Sequence, residues 1–159
     1  MRVVILVSGT PGTGKTVVAK FLAKILPATY IDINSLIKKQ KIYSSYDKKL
    51  KTYLVDVEQL IPVLRKVIKK NNRSFVIDGH LSHYFPKTYA TFCIVTKCAI
   101  PVLQKRLRQR GYSKKKIAEN VQAELFDVCL VDAATRGHRI RIVDTTKGIK
   151  HLDVKKLLR

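Results

Sequence analysis

The sequence predicts an α/β fold, a parallel sheet of about five strands flanked by helices, and three observations carry that expectation. Short β-branched apolar runs alternate with amphipathic helical stretches along the chain. The first run, "RVVILVS" at residues 2–8, is almost continuously apolar, as in a parallel strand covered on both faces. It passes directly into "GTPGTGKT", Gly9 to Thr16, which satisfies the phosphate-loop pattern G-x-x-x-x-G-K-[ST] between a strand and a helix.

After that loop, "VVAKFLAKIL" repeats Val18, Phe21, Leu22 and Ile25 at helical spacing and ends at Pro27. "ATYIDI" is a second, short strand. Residues 34–52 are polar, lysine-rich and tyrosine-bearing, with a short helix over "SLIKKQK", and read as an excursion from the core. Helix signals return at Asp56, where Gln59 three residues on suggests a capping box, and continue through "QLIPVLRKVIKK". Pro62 inside that pattern is expected to shift the helix start or kink it. An "NNR" turn leads into the strand "SFVID", and "TFCIV" is the next strand. "PVLQKRLRQR" reads as a helix with Pro101 in its first turn and Gly111 at its C-cap. One long helix is expected from near Ser113 to about Thr135, then the strand "RIRIVD" and a short closing helix over "DVKKLLR". With neither repeat nor linker, residues 1–159 read as a single domain.

Composition narrows the function classes. Hydrophobic residues make up 46% of the 159, enough for a globular core and unlike a disordered chain. The apolar runs are strand-sized, short of the roughly 20 residues of a membrane span, and the one at the amino terminus leads into a motif the folded protein needs. The expectation is a soluble, intracellular protein, cytoplasmic and also nuclear if the source is eukaryotic, with no membrane partner. Cys93, Cys98 and Cys129 are too few and too scattered for a disulfide framework or a zinc site. Charge is the unusual property: 32 Lys and Arg against 11 Asp and Glu give +21. Between Asp78 and Glu119 there is no acid at all. Such an excess attracts polyanions, whether nucleotides, RNA or an acidic surface. A lysine-rich solvated surface is the alternative, although in heat-adapted proteins Lys is usually balanced by Glu.

The phosphate loop sets the chemistry. Gly9, Gly12 and Gly14 let the backbone turn its N–H groups inward at the positive end of a helix dipole, so that Gly9, Thr10, Pro11, Gly12, Thr13, Gly14, Lys15, Thr16 and Val17 cradle the phosphates of ATP. Lys15 is expected to neutralise the β- and γ-oxygens during transfer, and Thr16 to offer a hydroxyl to the accompanying Mg²⁺. Arg106 and Arg110, four apart on one helix face before "GYSKKK", can bracket the moving phosphoryl group or merely line a solvated basic face. In the excursion, Lys38 or Lys39 can hold an acceptor phosphate, with Asn34, Ser35, Tyr43 and Tyr46 near a base or ribose; surface polarity explains these residues almost as well. "SFVIDGHLSHYF" ends a buried strand in Asp78, followed by His80 and His83. His83 reads as a loop or partner contact.

On "GTPGTGKT", "YIDINSLIKKQKIYSSYD", "VIDGH" and "RLRQRGYSKKKIAENVQAELFDV", most of the chain in order, the sequence resembles the adenylate kinase isoenzyme 6 family, the Fap-seven-type or CINAP-type ribosome-assembly kinases. The resemblance implies an adenylate-kinase-like fold with an AMP-binding excursion at about 34–52 and a short lid at about 111–118. It implies ATP:AMP phosphotransfer with slow ATP hydrolysis, and a role in small-subunit maturation through a platform ribosomal protein, with rRNA as a further partner. Asp78 and His80 fill the family's D-x-H motif, in which Asp78 holds Mg²⁺ through a water and His80 positions a water or Asp78, with Gly79 bending the chain between them. The sequence carries Lys38 where a member of that family has Arg, and lysine lacks the bidentate fork for a phosphate.

Overall fold

A computed structural model describes residues 2–49, 51–150 and 157–158. Five parallel strands form one sheet: β1 (Val4–Ser8), β2 (Thr29–Asp32), β5 (Phe75–Asp78), β6 (Phe92–Lys97) and β7 (Ile140–Asp144), in the order β2-β5-β1-β6-β7. β1 lies at the centre, hydrogen-bonded to β5 and β6, so both its faces are covered. Its alternation divides the core: Val4 and Leu6 face one apolar layer, Ile5 and Val7 the other. All four are buried, and full burial of such side chains is worth about 1.5–3 kcal/mol each relative to exposure.

The second layer is closed by α1 (Lys15–Ile25), which turns Val18, Ala19 and Leu22 onto the sheet. Leu157 and Leu158 are helical and pack on the same layer; the remainder of the expected closing helix lies outside the described residues. The first layer is closed by α2 (Ile33–Gln40) and α3 (Val57–Lys69). α3 starts at Val57, and its N-cap Asp56 accepts from the backbone N–H groups of Glu58 and Gln59, so Pro62 lies within a helix whose start it does not displace. α4 (Ile100–Gln109) ends at Arg110, after which Gly111 takes a positive φ of 71°.

Two local features differ from the sequence reading. Residues 43–55 form an antiparallel hairpin, β3 (Tyr43–Asp47) and β4 (Thr52–Val55), outside the main sheet. Cross-strand tyrosines clamp it: the rings of Tyr43 and Tyr46 lie 4.5 and 4.8 Å from that of Tyr53. The expected long helix is two, α5 (Lys114–Leu125) and α6 (Val128–Thr135), because Asp127 takes a left-handed φ of 53°. Aspartate tolerates that conformation, and Lys97 contacts the Asp127 carboxylate at the break.

Candidate functional site

The carboxyl ends of β1 and β5 deliver the phosphate loop and Asp78 to the same edge of the sheet, where open α/β sheets place their ligands. Gly9 packs so closely on β6 that a Cβ there would stand 2.4 Å from Thr96 Oγ1. Gly12, at φ 93°, passes over Leu103 and Leu107 of α4 in the same way. Bulkier residues would therefore push the loop off both supports.

Inside the loop the Lys15 ammonium donates to the carbonyls of Gly9 at 2.8 Å and Thr10 at 3.0 Å. Desolvation lowers its pKa to about 8, and nearby Arg110 pushes in the same direction against the pull of Asp78. Thr16 donates to Asp78 Oδ2 at 2.7 Å, and the Tyr30 hydroxyl donates to the same oxygen at 2.8 Å. Burial and then the Asp78 carboxylate push the Tyr30 phenol upward, so it remains a donor. An alcohol beside a carboxylate at the mouth of a phosphate loop is an all-oxygen donor set, the chemistry that suits Mg²⁺.

A cleft of about 670 Å³ runs from the loop past His80 to Asn34 and Lys38 of α2 and Tyr53 of the hairpin. Arg110 and Tyr112 line its other wall. Burial first, and then the charge of Lys15, hold the His80 imidazole down to about 4, so it is neutral near pH 7. Gly79 is small because Ile33 lies against it: a Cβ there would meet Ile33 Cβ at 2.9 Å. Its φ lies outside the left-handed region, so close packing rather than a bend is what it serves.

The paired arginines part company. Arg110 faces the cleft, whereas Arg106 donates to the Gly12 carbonyl at 3.3 Å and to the Thr145 carbonyl at 2.7 Å. Thr145 Oγ1 in turn donates to the Thr13 carbonyl at 2.7 Å, so Arg106 braces the loop from behind. Ser35 donates to Asp32, the N-cap of α2, and does not line the cleft. Tyr46 stacks on the hairpin, and Lys38 lies 5.7 Å from the Tyr53 ring.

Two residues near the loop carry roles the sequence reading did not assign. Glu124 of α5 is 5% exposed. It accepts from Thr10 Oγ1 at 2.7 Å and from the Cys98 N–H at 3.2 Å, and pairs with Lys97 at 3.1 Å. The one signal pointing to it is its place at the end of N-x-Q-x-E. His83 is likewise buried and is no partner contact: its Nδ1 lies 2.7 Å from Ser8 Oγ, and its Nε2 is 3.6 Å from Asp132, too far for a hydrogen bond.

Burial lowers the His83 pKa from 6.5 to about 4, with Arg136 and His138 adding to the effect and Asp132 opposing it. The unfolded chain takes up that proton near 6.5 and the folded chain only near 4, so this contribution is complete above 6.5 and falls away as pH drops toward 4. Urea midpoints at pH 7 and pH 5 are expected to differ less in His83→Gln than in the wild type. Equal differences would remove His83 as a source of the pH dependence. Some dependence remains in the variant, because burial holds His80 down in the same direction.

A glycine-rich loop between a strand and a helix, at the carboxyl edge of a five-stranded parallel sheet, defines a P-loop protein of the kinase fold. The chain belongs to the AAA domain family, whose model matches residues 5–127. It is 37% identical over 142 residues to a Methanocaldococcus jannaschii protein named "Putative adenylate kinase", covering 89% of this chain and 76% of that one. A Thermococcus onnurineus protein of the same name is 41% identical over 143 residues, covering 90% and 75%. Shikimate kinase from Bacteroides thetaiotaomicron superposes with a TM-score of 0.61 at 18% identity, over 89% of this chain and 85% of that chain, a likeness of fold. Family and fold together support a nucleotide kinase. Among the described residues no helix is long and apolar enough to cross a membrane.

Proposed function

We propose that the protein is an ATP:AMP phosphotransferase of the ribosome-assembly type, the adenylate kinase isoenzyme 6 family, with ATP hydrolysis as a second activity. The observation that carries this reading is the single cleft joining the phosphate loop to Asn34 and Lys38, which gives a donor and an acceptor nucleotide one shared space. ATP occupies the loop from Gly9 to Val17, and AMP lies over α2, its phosphate toward Lys38 and its ribose toward Asn34. Ser35 serves that end indirectly, by holding Asp32. Residues 34–52 act as the acceptor-binding excursion and residues 111–118 as the lid of one domain.

In transfer, an oxygen of the AMP phosphate forms a bond to the γ-phosphorus of ATP as the bond to the β–γ bridging oxygen breaks, leaving two ADP. The loose transition state asks for charge neutralisation and alignment rather than for a strong base. Lys15 supplies the charge from the loop side and Arg110 from the lid side, while Arg106 keeps the loop in register. Thr16, and Asp78 through a water, would hold Mg²⁺, which neutralises phosphate charge when bound. Tyr30 fixes the Asp78 carboxylate that does so. The neutral His80 imidazole accepts a hydrogen bond from a water and orients it toward the phosphorus when no acceptor is present.

His80→Ala is therefore expected to lower hydrolysis at least ~10-fold and phosphotransfer by less than ~3-fold. The reverse ranking would make His80 a transfer residue. The reading as a whole is tested by ADP production from Mg·ATP with and without AMP, then with small-subunit rRNA and a platform ribosomal protein added. AMP should raise turnover at least ~10-fold, and a ribosomal component should bind and alter hydrolysis. If AMP has no effect while a ribosomal component changes hydrolysis, the protein is an ATP-driven assembly factor with little kinase activity. If another phosphate acceptor outperforms AMP, it is a different small P-loop kinase.

A further inference from the structure

At the opposite edge of the sheet, where β1, β5 and β6 begin, a second cavity of about 420 Å³ is lined by Arg2, Ile68, Lys69, Thr88, Tyr89 and Thr91. Arg2 and Lys69 of its wall, and Arg65 one turn before Lys69 on α3, are held in place before any ligand arrives. The Arg65 guanidinium sits 5.2 Å from the centre of the Tyr89 ring and the Lys69 ammonium 5.9 Å from it. Arg2 donates to the Ile68 carbonyl and lies 5.8 Å from the Phe75 ring. Among the described residues, none of these three cations is in an ion pair.

The surrounding chain has no acid to compensate them. Residues 59–77 carry Arg65, Lys66, Lys69, Lys70 and Arg73 without one Asp or Glu, and residues 1–31 and 79–118 contain none either. Lys70 and Arg73 are exposed in the turn between α3 and β5, on this same edge. That is more positive charge than a mononucleotide neutralises. None of the exposed large apolar side chains comes from residues 57–91, so nothing here would insert into a lipid surface. Fixed guanidinium and ammonium groups beside the Thr88 and Tyr89 hydroxyls match phosphodiester and ribose oxygens.

We infer that this edge is a binding site for single-stranded RNA, with Arg65 and Lys69 on successive phosphates. The inference rests on the ribosomal contact proposed above, assigns RNA to it, and locates it away from the nucleotide cleft, so RNA and ATP can be held together. The test is fluorescence anisotropy of a labelled single-stranded RNA 12-mer against salt, using the whole chain with and without Mg·ATP. Arg65→Gln with Lys69→Gln is expected to weaken binding at least ~5-fold and to reduce the salt slope by about 1.4, at ~0.7 per phosphate contact. Both residues are exposed, so the fold tolerates the change, and ADP production should be unaltered. Lys20→Gln with Lys24→Gln, on the exposed face of α1, removes equal charge and should change RNA affinity less than ~2-fold.

Failure of the wild type to bind RNA overturns this inference, while the proposed function stands or falls separately on the AMP response and on binding of the ribosomal protein. Equal weakening by the two double variants overturns the location alone, since diffuse charge then explains binding. Displacement of RNA by Mg·ATP overturns it by placing RNA in the cleft. Binding to phosphatidylserine vesicles but not to RNA assigns the edge to a membrane surface and overturns the inference too.

Discussion

Lys15→Ala is expected to lower ATP-dependent phosphotransfer and hydrolysis together, by at least ~10³-fold, toward the limit of detection. Lys15 is the one cation seated inside the phosphate loop, donating to the Gly9 and Thr10 carbonyls where the β- and γ-oxygens of ATP would lie. Removing it takes away charge stabilisation that both reactions share, because both move the same phosphoryl group. Burial has lowered its pKa to about 8, so it is still mostly charged at neutral pH, and a bound polyphosphate stabilises that charge further. The measurement is kcat and kcat/KM for both activities, with circular dichroism as the control for folding. A variant retaining more than a tenth of either activity would move the ATP site elsewhere.

The largest effect on stability is expected from Glu124→Ala. The substitution strands two buried donors, the Thr10 hydroxyl and the Cys98 amide, each costing roughly 1–3 kcal/mol when left without an acceptor. Lys97 also loses a partner but is 24% exposed and keeps Asp127, so it adds little. A loss of about 3 kcal/mol corresponds to a Tm lowered by roughly 6–12 °C in a chain of this size. Glu124→Gln keeps the shape and one acceptor oxygen, and should lose less than half as much. Because Thr10 belongs to the phosphate loop, the KM for ATP should rise in Glu124→Ala as the melting point falls. A melting point within ~1 °C of wild type would mean that the contact carries no net stability.

The parts of the fold that could be read from the sequence are those whose cause is local. β1, β5 and β6 are written as apolar β-branched runs because each is covered on both faces, and each was expected within a residue or two of its place. The phosphate loop is legible for the same reason, since its glycines answer to backbone conformation and close approach within a few residues. The hairpin of β3 and β4 was not legible, because its strands "YSSYD" and "TYLV" lack a clean alternation and are held by tyrosines meeting across the turn. Nor was the break between α5 and α6. Helical periodicity carries through Phe126 and Asp127, and the contact that accompanies the break is Lys97 on a different element.

The site divides along the same line. Local pattern is enough to show that a strand, a phosphate loop and a helix follow one another, that an acid ends a buried strand, and that the chain carries a large positive excess. Tertiary structure alone decided that Thr16 and Tyr30 meet on one oxygen of Asp78, that Glu124 is a buried strut beneath Thr10, and that Arg110 faces the cleft while Arg106 braces the loop. The physical reason is separation along the chain. Thr16 and Asp78 are 62 residues apart and Thr10 and Glu124 are 114 apart, so no local pattern records their meeting. Only the strand order β2-β5-β1-β6-β7 and the packing of α4 and α5 beside it bring those groups within hydrogen-bonding distance.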